Sequence, residues 1–189
     1  MAVEHRIDLL CHPSARPDPV RALSVRVSRP AGADAELRTD FRLDGDLGRI
    51  RVPAAHAPRI ATDLWRHTCF EVFIAIEGQP AYHEFNFAPS GEWTVYAFSG
   101  YRAGGPLADG TMRPRIDVRS DGSRLELDAR VRLNPLSAIH PSAPLRIGLA
   151  AVIEADDGRL SYWALLHQGD KPDFHDAGGF ALLLGPPDS

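Results

Sequence analysis

The chain has 189 residues, with 21 Lys and Arg against 25 Asp and Glu and a formal net charge of −4. Charges of both signs are interspersed, which excludes the basic footprint of a nucleic-acid binder and the polybasic face of a protein drawn to anionic membranes. No apolar run approaches a membrane span, and the start, MAVEHRIDLL, carries charges where a secretory signal needs an apolar stretch, so the expected setting is the cytoplasm, with Cys11 and Cys69 reduced.

Strand signals run along nearly the whole chain and helix signals are scarce. Residues 3–10 form a candidate first strand that ends at Pro13. Leu23, Val25 and Val27 alternate with Ser24, Arg26 and Ser28; Leu37, Thr39, Phe41 and Leu43 alternate with Arg38, Asp40 and Arg42. That period of two marks half-buried strands. Asp44-Gly45-Asp46 turns the chain into a short strand over 47–52, and a Pro- and Ala-rich connection, 53–58, leads to the densest pattern in the sequence.

In that pattern, residues 65–101, the turn Glu77-Gly78-Gln79-Pro80 pairs Ile76 with Ala81. Phe70, Val72 and Ile74 then face Phe87, Phe85 and His83, while Glu71 lies opposite Asn86 and Phe73 opposite Glu84. One face of the meander is apolar and the other is chemically loaded. The same parity, carried backward, adds Trp65, His67 and Cys69 to the loaded face; carried across Ala88-Pro89-Ser90-Gly91, it adds Trp93.

A glycine-rich loop over 103–110 follows, then strands at 115–119 and 124–132 joined by the hairpin signal Asp121-Gly122. Residues 134–144 hold one helical turn at most, 145–153 is a nearly continuous apolar run, Asp156-Asp157-Gly158 is a turn, and strands at 160–167 and 180–184 close the chain. Segments of this length and spacing, punctuated by 16 Gly and 16 Pro, predict an all-β fold: an antiparallel two-sheet β-sandwich of jelly-roll type, with residues 1–189 as one domain.

The loaded face has the residue types a sugar site needs: an aromatic platform for the apolar side of a ring, and planar polar groups that take hydrogen bonds from hydroxyls. Trp65, Trp93 and Tyr82 are the candidate platform, and Glu71, Glu84 and Asn86 the candidate acceptors. A second constellation runs from Trp163 to Asp176, ending in the loop HQGDKPDFHD. Lys171, inside that loop, is the sole lysine among the basic residues. Folded over the loaded face, the loop would bring His167, Lys171 and His175 as donors to a surface that otherwise offers acceptors.

The run Leu64-Trp65, Cys69-Phe70-Glu71-Val72-Phe73-Ile74 and Tyr82-His83-Glu84-Phe85-Asn86-Phe87, with Pro89 and Gly91, resembles the central strands of DOMON-like domains related to family 9 carbohydrate-binding modules. The resemblance covers 64–101 well and extends more weakly to Trp163 and the terminal loop. It implies an immunoglobulin-like sandwich of an uncharacterised standalone bacterial branch that binds a small polar ligand, possibly a sugar, without catalysis and without a cofactor. Other branches of the family bind haem through Met, His or Lys, and His167 or His175 would be the axial ligand here.

Enzymatic alternatives stay open beside binding. His167, His175, Asp173 and Glu71 could be drawn together as a metal hydrolase, although no local metal-binding spacing is present. Glu71 and Glu84 could imitate a glycosidase pair, Cys69 and His67 an activated thiol, and Lys171 a Schiff-base lysine.

Overall fold

The computed structural model describes residues 3–32, 35–107 and 110–187. Among these lie thirteen strands and no α-helix: β1 (Glu4–Asp8), β2 (Leu10–Cys11), β3 (Val20–Ser28), β4 (Glu36–Gly45), β5 (Cys69–Ile76), β6 (Tyr82–Phe87), β7 (Trp93–Phe98), β8 (Gly104–Leu107), β9 (Arg115–Ser120), β10 (Arg124–Arg132), β11 (Leu145–Glu154), β12 (Leu160–Ala164) and β13 (Leu182–Leu184). They form two antiparallel sheets, one ordered β1-β3-β4-β10-β9 and the other β2-β12-β11-β5-β6-β7-β8, with β13 paired to β11 beyond the end of β12. The expected all-β sandwich is what the chain forms. Among the described residues no helix is long and apolar enough to cross a membrane.

The smaller sheet follows the period-two rule apart from a register shift between Val20 and Ala22. Leu23, Val25, Val27, Leu37, Phe41 and Leu43 are buried inward. Their alternates form a ladder of ion pairs on the outer surface, in which Asp40 takes Arg26 and Asp44 takes both Arg42 and Arg124. Exposed pairs of this kind contribute little each, so the sheet is held chiefly by its inner face. Across the interface, Phe41 meets Phe70 of the larger sheet at a ring separation of 5.1 Å.

The larger sheet departs from the half-buried pattern in a way that creates the site. All eight residues of β5 are buried, so the outer face as well as the inner is covered. The inner face supplies Phe70, Val72, Phe85, Phe87 and Trp93 to the main core. The outer face carries two small clusters of its own: Phe73, Tyr82 and Phe180 at one end, and Leu64, Cys69 and Ala88 at the other. Gly148 of β11 makes the first cluster possible. A Cβ there would lie 2.5 Å from the Phe180 ring and 3.1 Å from Phe73, and Phe180 stacks on Phe73 at 5.3 Å.

The strand register through the central hairpin is the expected one: Glu71 pairs with Asn86, Phe73 with Glu84 and Val72 with Phe85. Several boundaries differ. Residues 47–49 form a 3-10 turn capped by Asp46, with only Ile50 bridging to Ala155, instead of a strand over 47–52. The expected loop over 103–110 contains β8, an edge strand on β7, whereas residues 108 and 109 lie outside the described residues. Gly104 permits that pairing, since a Cβ would lie 2.0 Å from the Ala97 carbonyl oxygen. The last two strands are shorter than the expected 160–167 and 180–184.

Candidate functional site

Between the two outer clusters a cavity of about 480 Å³ lies over the sheet. Glu71 of β5 and Glu84 of β6 lie on its strands, flanked by Val152 of β11, Tyr162 of β12, and Tyr96 and Phe98 of β7. Loops complete the wall with Trp65, Arg102, Pro172, Phe174 and His175. Trp65 sits in a 3-10 turn, Leu64–Arg66, and remains 45% exposed, with the Arg66 guanidinium over its ring at 5.2 Å.

The two carboxyls are the unusual feature. Glu71 is 2% exposed, and its Oε1 has no hydrogen-bond partner among the described residues. Burial, and then the neighbouring Glu84, push its carboxyl well above the ordinary range. Glu84 is nearly as buried, and burial raises it to about 7 against the opposing influence of Asn86 and Arg102. A buried carboxyl without a full set of partners is costly, and the usual resolution is that it stays protonated. The pair thus holds its protons into the neutral range.

A chain of buried hydrogen bonds fixes Glu84. The Cys69 thiol donates to Asn86 Oδ1 at 3.5 Å, and Asn86 Nδ2 donates to Glu84 Oε1 at 2.7 Å. On the other side Tyr82 organises two loops: its hydroxyl accepts from the Arg102 backbone N–H at 3.2 Å and lies 2.8 Å from His175 Nδ1. The tautomer of His175 sets the direction of that bond, and its Nε2 faces Glu84 Oε2 at 3.6 Å. Burial and Arg102 lower His175 to about 4, so the ring is neutral at physiological pH.

Asp173 clasps the loops together. Its carboxylate accepts from the Tyr101 hydroxyl at 2.6 Å, the Arg102 guanidinium at 2.8 Å and the His175 backbone N–H at 3.1 Å. Arg102 adopts φ 52, a left-handed conformation unusual outside glycine, which turns its backbone N–H back toward Tyr82 while its side chain reaches Asp173.

The structure therefore brings Trp65, Glu71, Glu84 and His175 to one cavity, with Tyr82 and Asn86 buried behind its wall as positioning groups. Trp93 is a correction. It pairs directly with Phe87, is 2% exposed and belongs to the main core. The connection over 88–92 returns the chain with Trp93 on the same face as Phe87, so Thr94 and Tyr96 take the positions beside Asn86 and Glu84. His67 leaves the cavity to meet Glu154 at 2.7 Å. With His67 engaged there and the buried Cys69 thiol pushed well up by desolvation, the two do not form an activated thiol.

His167 holds the Leu10 carbonyl at 2.9 Å and lies edge-on to His12. Lys171 is exposed, and its successors Pro172, Phe174 and His175 wall the cavity in its place. For haem, the donor set does not fit: both ring nitrogens of His175 face partners, and His167 lies outside the cavity wall. Among the described residues no group of three or more His, Cys, Asp or Glu is placed to hold a metal ion.

Tyr96, Phe98, Tyr162, Phe174 and Arg102 were not anticipated as wall residues. The alternation of β7 was a signal for the first two, once the correct parity is applied after the turn.

No family model matches the chain, and no curated protein matches it. Among solved structures it is similar to a candidate carbohydrate-binding protein from Bacteroides uniformis ATCC 8492, at 13% identity and a TM-score of 0.64, covering 94% of this chain and 84% of that one. The two share a fold. A family 9 carbohydrate-binding module from Caldicellulosiruptor kristjanssonii, in complex with glucose, aligns over 83% of this chain and 74% of its own at 12% identity and a TM-score of 0.40, which adds nothing to that likeness.

Proposed function

We propose that the protein binds a carbohydrate or carbohydrate-derived metabolite in this cavity, without catalysis. The observation that carries the reading is Glu71, almost fully buried, with Oε1 unpartnered at a cavity walled by Trp65, Tyr96, Phe98, Tyr162 and Phe174. A sugar presents apolar ring faces to such aromatics and hydroxyls to such a carboxyl. The cavity lies at the low end of the size range of small-molecule sites and suits one or two sugar rings.

The fold shared with a candidate carbohydrate-binding protein is consistent with this assignment, as is the DOMON-like character of the central strands. Cys11 and Cys69 are free thiols, which accords with a reducing, cytoplasmic setting.

The test is calorimetric titration of the purified protein with neutral, aminated and acidic mono- and disaccharides. Binding by at least one of these, weakened by Trp65→Ala and by Glu71→Gln in variants that retain the wild-type circular dichroism spectrum, is the expected result. Absence of binding across the panel, or binding indifferent to both substitutions, overturns the assignment.

A further inference from the structure

We infer that the ligand of this cavity carries a positively charged nitrogen, as an amino sugar does, and that Glu71 and Glu84 together with the aromatic wall select it over neutral and acidic counterparts. The inference rests on the reading of the cavity as a ligand site and goes further by assigning the ligand's charge.

The charge balance of the cavity points this way. Two carboxyls enter it from adjacent strands, at positions set diagonally across the β5–β6 pairing. The nearby basic groups are uncharged or hydrogen-bonded to other groups, and Arg102 acts on Glu84 only through space. Arg102 gives its guanidinium to Asp173 at 2.8 Å and to the Tyr101 hydroxyl at 3.3 Å. His175 is held neutral by burial and by Arg102, and Lys171 stands outside the wall. The complementary charge is therefore one that the ligand would supply. A charge-assisted hydrogen bond from an ammonium to a buried carboxylate is roughly twice as strong as one from a hydroxyl, and the low dielectric of the site amplifies the difference.

The aromatic wall discriminates in the same direction. Trp65, Tyr96, Phe98, Tyr162 and Phe174 line the cavity, and aromatic ring faces attract a cation in a way that a neutral hydroxyl does not share. An acidic ligand would oppose ionisation of the two carboxyls and add a further buried negative charge, and is disfavoured.

Binding a cation also has a proton consequence. The ionisable groups around the carboxyl pair are Cys69 on β5, Tyr82 on β6, Tyr96 on β7, Tyr162 on β12, Arg102 and Asp173 clasped together, and the neutral His175. None of these supplies a free positive charge, so an incoming ammonium stabilises the ionised carboxyls and expels a proton.

The experiment is calorimetry at pH 7 on the wild-type protein with glucosamine, glucose, N-acetylglucosamine, glucuronate and choline, each in two buffers of different ionisation enthalpy. The expected result is glucosamine binding at least about tenfold tighter than glucose and N-acetylglucosamine, with proton release, and a loss of that preference in Glu71→Gln and Glu84→Gln. The wild-type panel needs no variant to fold. Glucose, N-acetylglucosamine or glucuronate binding as tightly as glucosamine overturns the inference and leaves the carbohydrate assignment standing. Choline binding without any sugar upholds the cationic selectivity and overturns the carbohydrate assignment. Silence from all five overturns both.

Discussion

Replacing Glu84 by Gln separates burial of a neutral carboxyl from burial of a charged one. In the fold this group titrates at about 7 against its ordinary 4.5, because burial disfavours the ionised form. The folded protein therefore holds the proton more tightly than the unfolded chain does. The associated stability is fully present below about pH 4.5 and is lost as pH rises through 7. At about 1.4 kcal/mol per unit, the interval amounts to about 3 kcal/mol, undiscounted because Glu84 is only 5% exposed.

His175 and His140 act in the opposite direction. Each is lowered to about 4, chiefly by burial, so each contributes stability that is present above the ordinary 6.5 and lost as pH falls through 4. The wild-type profile alone is a sum of opposed slopes, and the informative quantity is the difference between wild type and Glu84→Gln. Urea unfolding followed by tryptophan fluorescence at pH 4.5, 6, 7 and 8 should show the variant within about 1 kcal/mol of wild type at pH 4.5 and gaining on it by about 3 kcal/mol by pH 8. A difference that does not change with pH refutes the argument that Glu84 carries a raised proton affinity in the folded state.

Three further outcomes follow from packing. Phe85→Ala and Trp93→Ala should each cost about 3 to 5 kcal/mol by urea unfolding, because both side chains lie in the main core, whereas Trp65→Ala should leave stability within about 0.5 kcal/mol and act on ligand affinity. Gly148→Ala should cost about 1 to 3 kcal/mol through overpacking against Phe180, read as a lower Tm. Arg29, 6% exposed, gives its guanidinium to the carbonyls of Ala143, Gly185 and His140, so Arg29→Met should cost about 3 kcal/mol as those acceptors lose their donor.

What the sequence disclosed depended on how far apart the cooperating residues lie. The β5–β6 register was readable because a short turn joins two strands of alternating pattern, so a local signal determined a local pairing. Glu71 and Glu84 were readable for the same reason. Trp93 was misplaced because parity across the 88–92 turn depends on how the loop returns the chain, which composition does not reveal. The strand β8 was hidden by Gly104-Gly105-Pro106, residues that read as loop but here allow a close backbone approach at a sheet edge. Arg102 meets Asp173 across 71 residues, and no short-range pattern encodes that contact. The rarity of lysine drew attention to Lys171, but a compositional signal has no direction in space, and the neighbouring Pro172, Phe174 and His175 are the residues that wall the cavity.

The two ends of the segment covering the outer face are stitched to one strand. The chain leaves β11's edge at Ala164 and returns to that edge at Leu182, pairing with Ile147. The intervening span, which carries Phe174, His175 and Phe180, is thus a handle fastened at both ends to a single rail. Its shorter fastening is three residue pairs long. Fraying there costs less than global unfolding and, together with release of the Asp173 clasp and of Phe180 from Phe73, would lift the handle. Entry to an otherwise deeply buried pair of carboxyls would then be timed by the peeling of a sheet edge, so that backbone hydrogen exchange at Leu182 to Leu184 and ligand on-rate would rise and fall together.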